Sequence, residues 1–121
     1  MREVQSMLFP THELLRPDEL ARQRSVLSGL AVVANFRRDK QLIAWAESLN
    51  LAVRVDRPSP YGNPFILGQH GDRDAVCDLF EQQTLPSLAD RVHLLRGRVL
   101  CCWCHPARCH ADALARAANG G

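Results

Sequence analysis

The chain has 121 residues, 46% hydrophobic and 23% charged, which suits one domain with its own core and excludes wholesale disorder. A net charge of +2 is too small to mark a nucleic-acid binder by electrostatics alone. No apolar run approaches the roughly 18 residues needed to span a membrane, and Met1-Arg2-Glu3-Val4 leads into no signal-peptide core, so a cytoplasmic protein with no membrane partner is expected.

Residues 1–16 show no clear period, and Pro10 and Pro17 interrupt them, which predicts an extended arm ordered only by contact. Pro17-Asp18-Glu19 opens a helix well, with proline in the first turn and acids at the positive end of the dipole. That helix should run to about Ser28 and end at Gly29. The run Leu30–Phe36 is open between a buried strand and a second helix, and in the latter case the pair around Gly29 would resemble a helix-turn-helix. Asp39 is expected to cap a helix over Lys40–Ser48, with Leu42, Ile43, Ala46 and Leu49 on one face and Trp45 beside them. Asn50 ends it, and Leu51–Asp56 alternates as a half-buried strand.

Between Arg57 and Phe65 stand Pro58, Pro60, Gly62, Asn63 and Pro64, which force a fixed loop. Asp72 or a neighbour should cap a helix through Cys77 to Gln83, and a short helix begins at Pro86 and ends before Gly97. Arg98-Val99-Leu100 starts a last strand, and Ala111–Ala118 forms a closing helix. This order predicts an α/β fold: a small single-domain sandwich with a central, mostly parallel sheet flanked by helices. Residues 1–50 would form a helical extension packed on an α/β core of residues 51–121 that carries both motifs.

The segment Cys101-Cys102-Trp103-Cys104-His105-Pro106-Ala107-Arg108-Cys109-His110 holds four of the five cysteines. An odd, crowded set argues against a secreted disulfide framework and for metal binding or thiol chemistry. It falls where a strand gives way to a helix, with unpaired backbone N–H groups and a dipole that favours a thiolate. In an open parallel sheet, ligands bind beyond the carboxyl ends of the strands. If the two strands lie side by side, residues 57–65 therefore face residues 102–112 across one crevice. Arg57 offers a donor fork for phosphate or carboxylate, Ser59 a hydroxyl, Tyr61 a ring to stack, and Asn63 a two-way amide for a base edge.

Each feature has a plainer alternative. Asn63 can close a local turn, Arg57 can pair with Asp56, and Tyr61 can cover the core. Cys77, Cys101 and Trp103 are expected in the core. His12, His70, His93 and His105 have no motif around them. Cys102, Cys104, Cys109 and His110 have the number and softness of a zinc site, so zinc is a possible cofactor, although their spacing departs from paired zinc knuckles. The competing reading gives Cys109 or Cys102 as the thiol, His110 as acid or base, and Asp112 as its orienter or as a helix cap.

The stretches DRPSPYGNPF, GDRDAVCDLFEQQ and LRGRVLCCWCHPARCHADALA resemble the bacterial and phage family called domain of unknown function 4326. The resemblance covers roughly residues 51–118, and its cysteine–histidine pattern falls on Cys102, Trp103, Cys104, Pro106, Cys109, His110 and Asp112. Cys101 and Ala111 stand where that family commonly has glycine, and GLAVVAN and LIAWAE are similar to an N-terminal extension of some members. The chain is also similar to domain of unknown function 488 at the Arg-Pro-Ser and Cys-His motifs. There Cys102, Cys109 and His110 have partners, and Cys104 takes the place of a glutamate. The resemblance implies a shared pocket and supplies no activity.

The expected function is a Cys/His/Asn-lined crevice that binds and processes a nucleotide, nucleic acid or other phosphorylated ligand. Cys109, His110, Cys102 and Asp112 would be catalytic, and Arg57, Ser59, Tyr61 and Asn63 would bind the ligand. The alternative is a non-catalytic module whose thiols hold zinc or pack. The oligomeric state is left open.

Overall fold

The computed structural model describes residues 15–120, so the arm expected over 1–16 lies outside the described residues except for Leu15 and Arg16. The elements are α1 (Pro17–Leu27), β1 (Val32–Asn35), α2 (Lys40–Ser48), β2 (Ala52–Arg54), α3 (Arg73–Leu79), β3 (Val99–Cys102) and α4 (His110–Ala118). Between α3 and β3 lie a π turn (Phe80–Thr84) and two 3-10 turns (Leu85–Leu88 and Val92–Leu95), where longer α-helical runs are expected from the sequence. The strands form one parallel sheet in the order β1-β3-β2 with helices on both faces, a small α/β domain. Among the described residues no helix is long and apolar enough to cross a membrane.

The run 30–36 resolves as strand β1, paired with β3 from Val32–Val99 to Asn35–Cys102. Its valines suit a pleated surface, and Ala34 is small enough to disappear completely beneath the helices. A strand in this place removes the helix-turn-helix reading. It also means that the sheet draws on residues ahead of position 51.

Alternation along β3 sorts the cysteines. Val99 and Cys101 join Leu42, Ala46 and Trp45 in the core beneath α1 and α2, while Leu100 and Cys102 join Val55, Phe80 and Leu114 beneath α4. Cys101 and Cys77 are buried as expected. Each buried leucine-sized side chain contributes about 1.5–3 kcal/mol. Leu49, expected inward, is 53% exposed because α2 ends before it.

Asp39 precedes α2 but does not cap it through its side chain. Its carboxylate accepts from the Asn35 backbone N–H at 2.8 Å and from Arg16, Arg22 and Arg38. Glu19, reaching over from α1, accepts from the Leu42 N–H at 3.0 Å. With the Asn35 N–H and three arginines on Asp39, Glu19 serves the first turn of α2 in its place. Asp72 caps α3, as expected, by accepting from Ala75 N at 2.9 Å.

Candidate functional site

Because β2 and β3 are parallel neighbours, the loops that follow them leave the same edge of the sheet. They wall a cavity of about 520 Å³. Arg57 and Asn63 line it from one loop, and Cys102, Cys104, Cys109 and His110 from the β3–α4 side. Trp103 Nε1 donates to Asp56 Oδ2 at 3.0 Å, and Asp56 also takes both arms of Arg54, at 2.9 and 2.5 Å. His110 Nε2 donates to the Val55 carbonyl at 2.6 Å. The crevice is thereby tied across its base.

Most of the first loop holds itself in shape. The Ser59 hydroxyl donates to Asp56 O at 2.8 Å and accepts from Tyr61 N at 3.2 Å. Tyr61 packs against the core beneath α4, and neither residue lines the cavity. Gly62 is required here, since a Cβ would come within 2.5 Å of Arg57 Cα. Asn63 is buried, with Nδ2 donating to Val76 O at 3.0 Å and Oδ1 accepting from Phe65 N at 3.0 Å. Of the four expected ligand contacts, Ser59 and Tyr61 shape the loop away from the cavity, and Asn63 lines the cavity with its amide fastened to α3. Arg57 remains exposed beside the cavity, its Nε donating to the Asn63 carbonyl at 3.3 Å.

On the opposite wall the tautomer of His110 follows from its neighbours. A carbonyl only accepts, so Nε2 carries the proton and Nδ1 presents its lone pair to Cys109 Sγ, 3.4 Å away. Burial lowers the His110 pKa, keeping the ring neutral near pH 7, and Phe80 meets it edge-on at 5.0 Å. Asp112 accepts from Cys109 N at 3.1 Å, so it caps α4, and Val55 takes the part of orienting His110.

The placement of the thiolate also differs from expectation. Cys109 is only 4% exposed, and hydrogen bonding to Cys102 and Cys104, together with burial, pushes its thiol far up. Cys104 is half-buried and has the opposite character. Hydrogen bonding from Cys109, followed by that from the Arg73 guanidinium, outweighs burial and lowers it to about 5. Cys102 is also held low, chiefly by Cys109, but is 1% exposed. The helix-terminal position of Cys109 was expected to make it the thiolate. Donation to its neighbours outweighs that dipole and leaves Cys104 as the accessible one.

Sequence reading missed Arg73 and misplaced Trp103. Arg73 opens α3, where the dipole disfavours a cation, and that oddity could have marked it. It donates to the Arg108 carbonyl at 3.2 Å and lines the cavity. Among the described residues neither Arg57 nor Arg73 pairs with a carboxylate, whereas Arg108 is held by Asp74, Asp78 and Glu81. Trp103, expected in the core, is 52% exposed at the cavity rim because its N–H is drawn to Asp56.

Among the described residues no group of three or more His, Cys, Asp or Glu side chains is arranged to hold a metal.

No curated protein and no solved structure matches the chain. The family model described as domain of unknown function (DUF4326) matches residues 34–120, from the end of β1 through α4, with both loops and the thiol cluster. The chain belongs to that family.

Proposed function

We propose that the crevice binds a nucleotide, nucleic acid or other phosphorylated ligand and processes it with the Cys104 thiolate. The observation that carries this reading is a pair of cations, Arg57 and Arg73, without carboxylate partners among the described residues, around a thiol-lined cavity. A volume of about 520 Å³ suits a small-molecule site. Arg57 and Arg73 hold the phosphate, Asn63 positions Arg57 through its carbonyl, and Cys104 faces the bound ligand. Cys109, between His110 Nδ1 and Cys104, is placed to pass a proton between them. All five cysteines are free, which suits a reducing, cytoplasmic setting.

Calorimetric titration of the full chain with thymidine and thymidine 5′-monophosphate tests the binding part. The monophosphate should bind and the nucleoside should not, and Arg57→Ala should weaken binding by about tenfold, the scale of one charge-assisted contact. Equal binding of the nucleoside, or no effect of Arg57→Ala, would overturn the phosphate pocket. For the processing part, Cys104→Ser should keep binding and lose turnover.

A further inference from the structure

The indole of Trp103 is held from several sides. Its N–H is bound by Asp56, and its own carbonyl accepts from Asn35 Nδ2 at 3.0 Å. The same Nδ2 donates to the His105 carbonyl at 2.9 Å. Phe36 packs against the ring with centroids 4.7 Å apart, and the Arg37 guanidinium lies 5.7 Å from its centroid. Despite this fixing the ring remains 52% exposed. It also lines two cavities: the crevice, and a second of about 550 Å³ whose other walls are Asn35, Arg37 and Arg38.

We propose that Trp103 is a stacking platform for single-stranded nucleic acid, which crosses from the Arg37 cavity into the crevice. A rigid aromatic face beside arginines is how proteins hold unpaired bases, because every base has a π face and the guanidinium groups track the backbone. Trp103 borders both cavities, so joined nucleotides reach both past one indole where a single nucleotide reaches one. A duplex hides its base faces and cannot stack here. Charge sets the path: on the α3 side Arg108 is matched by Asp74, Asp78 and Glu81, whereas on the Trp103 side Arg37 has no carboxylate partner among the described residues. This inference rests on the crevice being a phosphate pocket, and it narrows the ligand class of that pocket.

Tryptophan emission reports the event directly, because Trp45 is 7% exposed and Trp103 is the accessible indole. The full chain is titrated with short oligothymidylate, with a fully paired hairpin and with thymidine 5′-monophosphate. The oligomer should quench emission and bind at least about tenfold tighter than the monophosphate or the hairpin, the scale of one stacked base. Read by calorimetry, since the reporting indole is gone, Trp103→Ala should lose about that factor for the oligomer, and Trp103→Phe should restore most of it. Arg37→Ala, outside the crevice, should weaken the oligomer and leave the monophosphate unchanged. Oligomer affinity no better than that of the monophosphate or the hairpin, or insensitive to Trp103→Ala and Arg37→Ala, overturns the platform. If the monophosphate binds but the oligomer gains nothing through Trp103, the platform falls and the phosphate pocket stands, whereas failure of both ligands to bind overturns both.

Discussion

The loop after β1 and the loops after β2 and β3 leave the same edge of one parallel sheet, yet the first gathers three arginines on one buried carboxylate and the others set two arginines beside a cavity. After β1, Asp39 is fully buried with Arg16, Arg22 and Arg38 around it, the last two at 3.0 and 3.2 Å. Burial alone would raise its pKa, but the Arg22 hydrogen bond and the Asn35 N–H hold it below the usual carboxylate range. After β2 and β3, Arg57 and Arg73 stand beside a cavity and the charge nearest Arg73 is a thiolate. Matched charge fastens helices to a sheet. Unmatched charge around a hollow is available to a ligand.

The largest effect should come from breaking the matched side. Asp39→Ala leaves the Asn35 N–H and the part-buried Arg22 guanidinium without this acceptor and should cost about 3 kcal/mol in urea denaturation. A carboxyl whose folded pKa is depressed contributes stability fully above its unfolded pKa, about 3.9, and loses it as pH falls through the folded value. The parent should therefore weaken below about pH 4, and the variant should lose that part of its acid sensitivity. A cost under about 1 kcal/mol would equate the cluster with ordinary surface ion pairs and dissolve the contrast.

A smaller loss should follow from Asn63→Ala, which separates the scaffold of the crevice from its contents. Removing this buried amide strands the Phe65 N–H and takes one of two bonds from the Val76 carbonyl, which keeps the Phe80 N–H, a cost of about 1–3 kcal/mol. Thermal melts of the variant should shift down while Arg57→Ala, exposed and without a carboxylate partner among the described residues, stays near the parent. An unshifted Asn63→Ala melt would return that amide to the list of ligand contacts.

The sequence made the sheet and the meeting of the loops legible because both follow from short-range signals. Apolar runs, proline clusters and the rule that ligands gather at strand ends were enough to bring Arg57 and Asn63 opposite the cysteines. What one residue does for another was not legible. Asn63 and Ser59 look the same in sequence whether they face a ligand or the backbone, and only their partners at Val76, Phe65 and Asp56 decide it. Asp39 looks like a cap until three arginines, two of them from α1 or its start, converge on it. Trp103 looks like core until Asp56 draws its N–H to the rim.

The thiols provide the finest test of the contrast, with little change in stability expected. A thiol alkylates as its thiolate, so the rate for Cys104 should rise with a midpoint near pH 5 and be level by pH 7. Cys77, pushed up by burial, and Cys101, raised to about 12 by the same cause, should label slowly throughout. Cys109 should also lag, since its proton is held by Cys102 and Cys104 and its side chain is buried. Iodoacetamide labelling of the native chain across pH, resolved by peptide mass spectrometry, gives each rate separately. Arg73→Ala removes a donor and a nearby positive charge, so the Cys104 midpoint should move upward toward the ordinary thiol value of about 8.5. Cys104→Ser should change stability by less than about 1 kcal/mol, because the side chain is half-solvated. A Cys104 midpoint already near 8.5 in the parent, or Cys109 labelling first, would remove the unmatched thiolate on which the difference between the two loop regions rests.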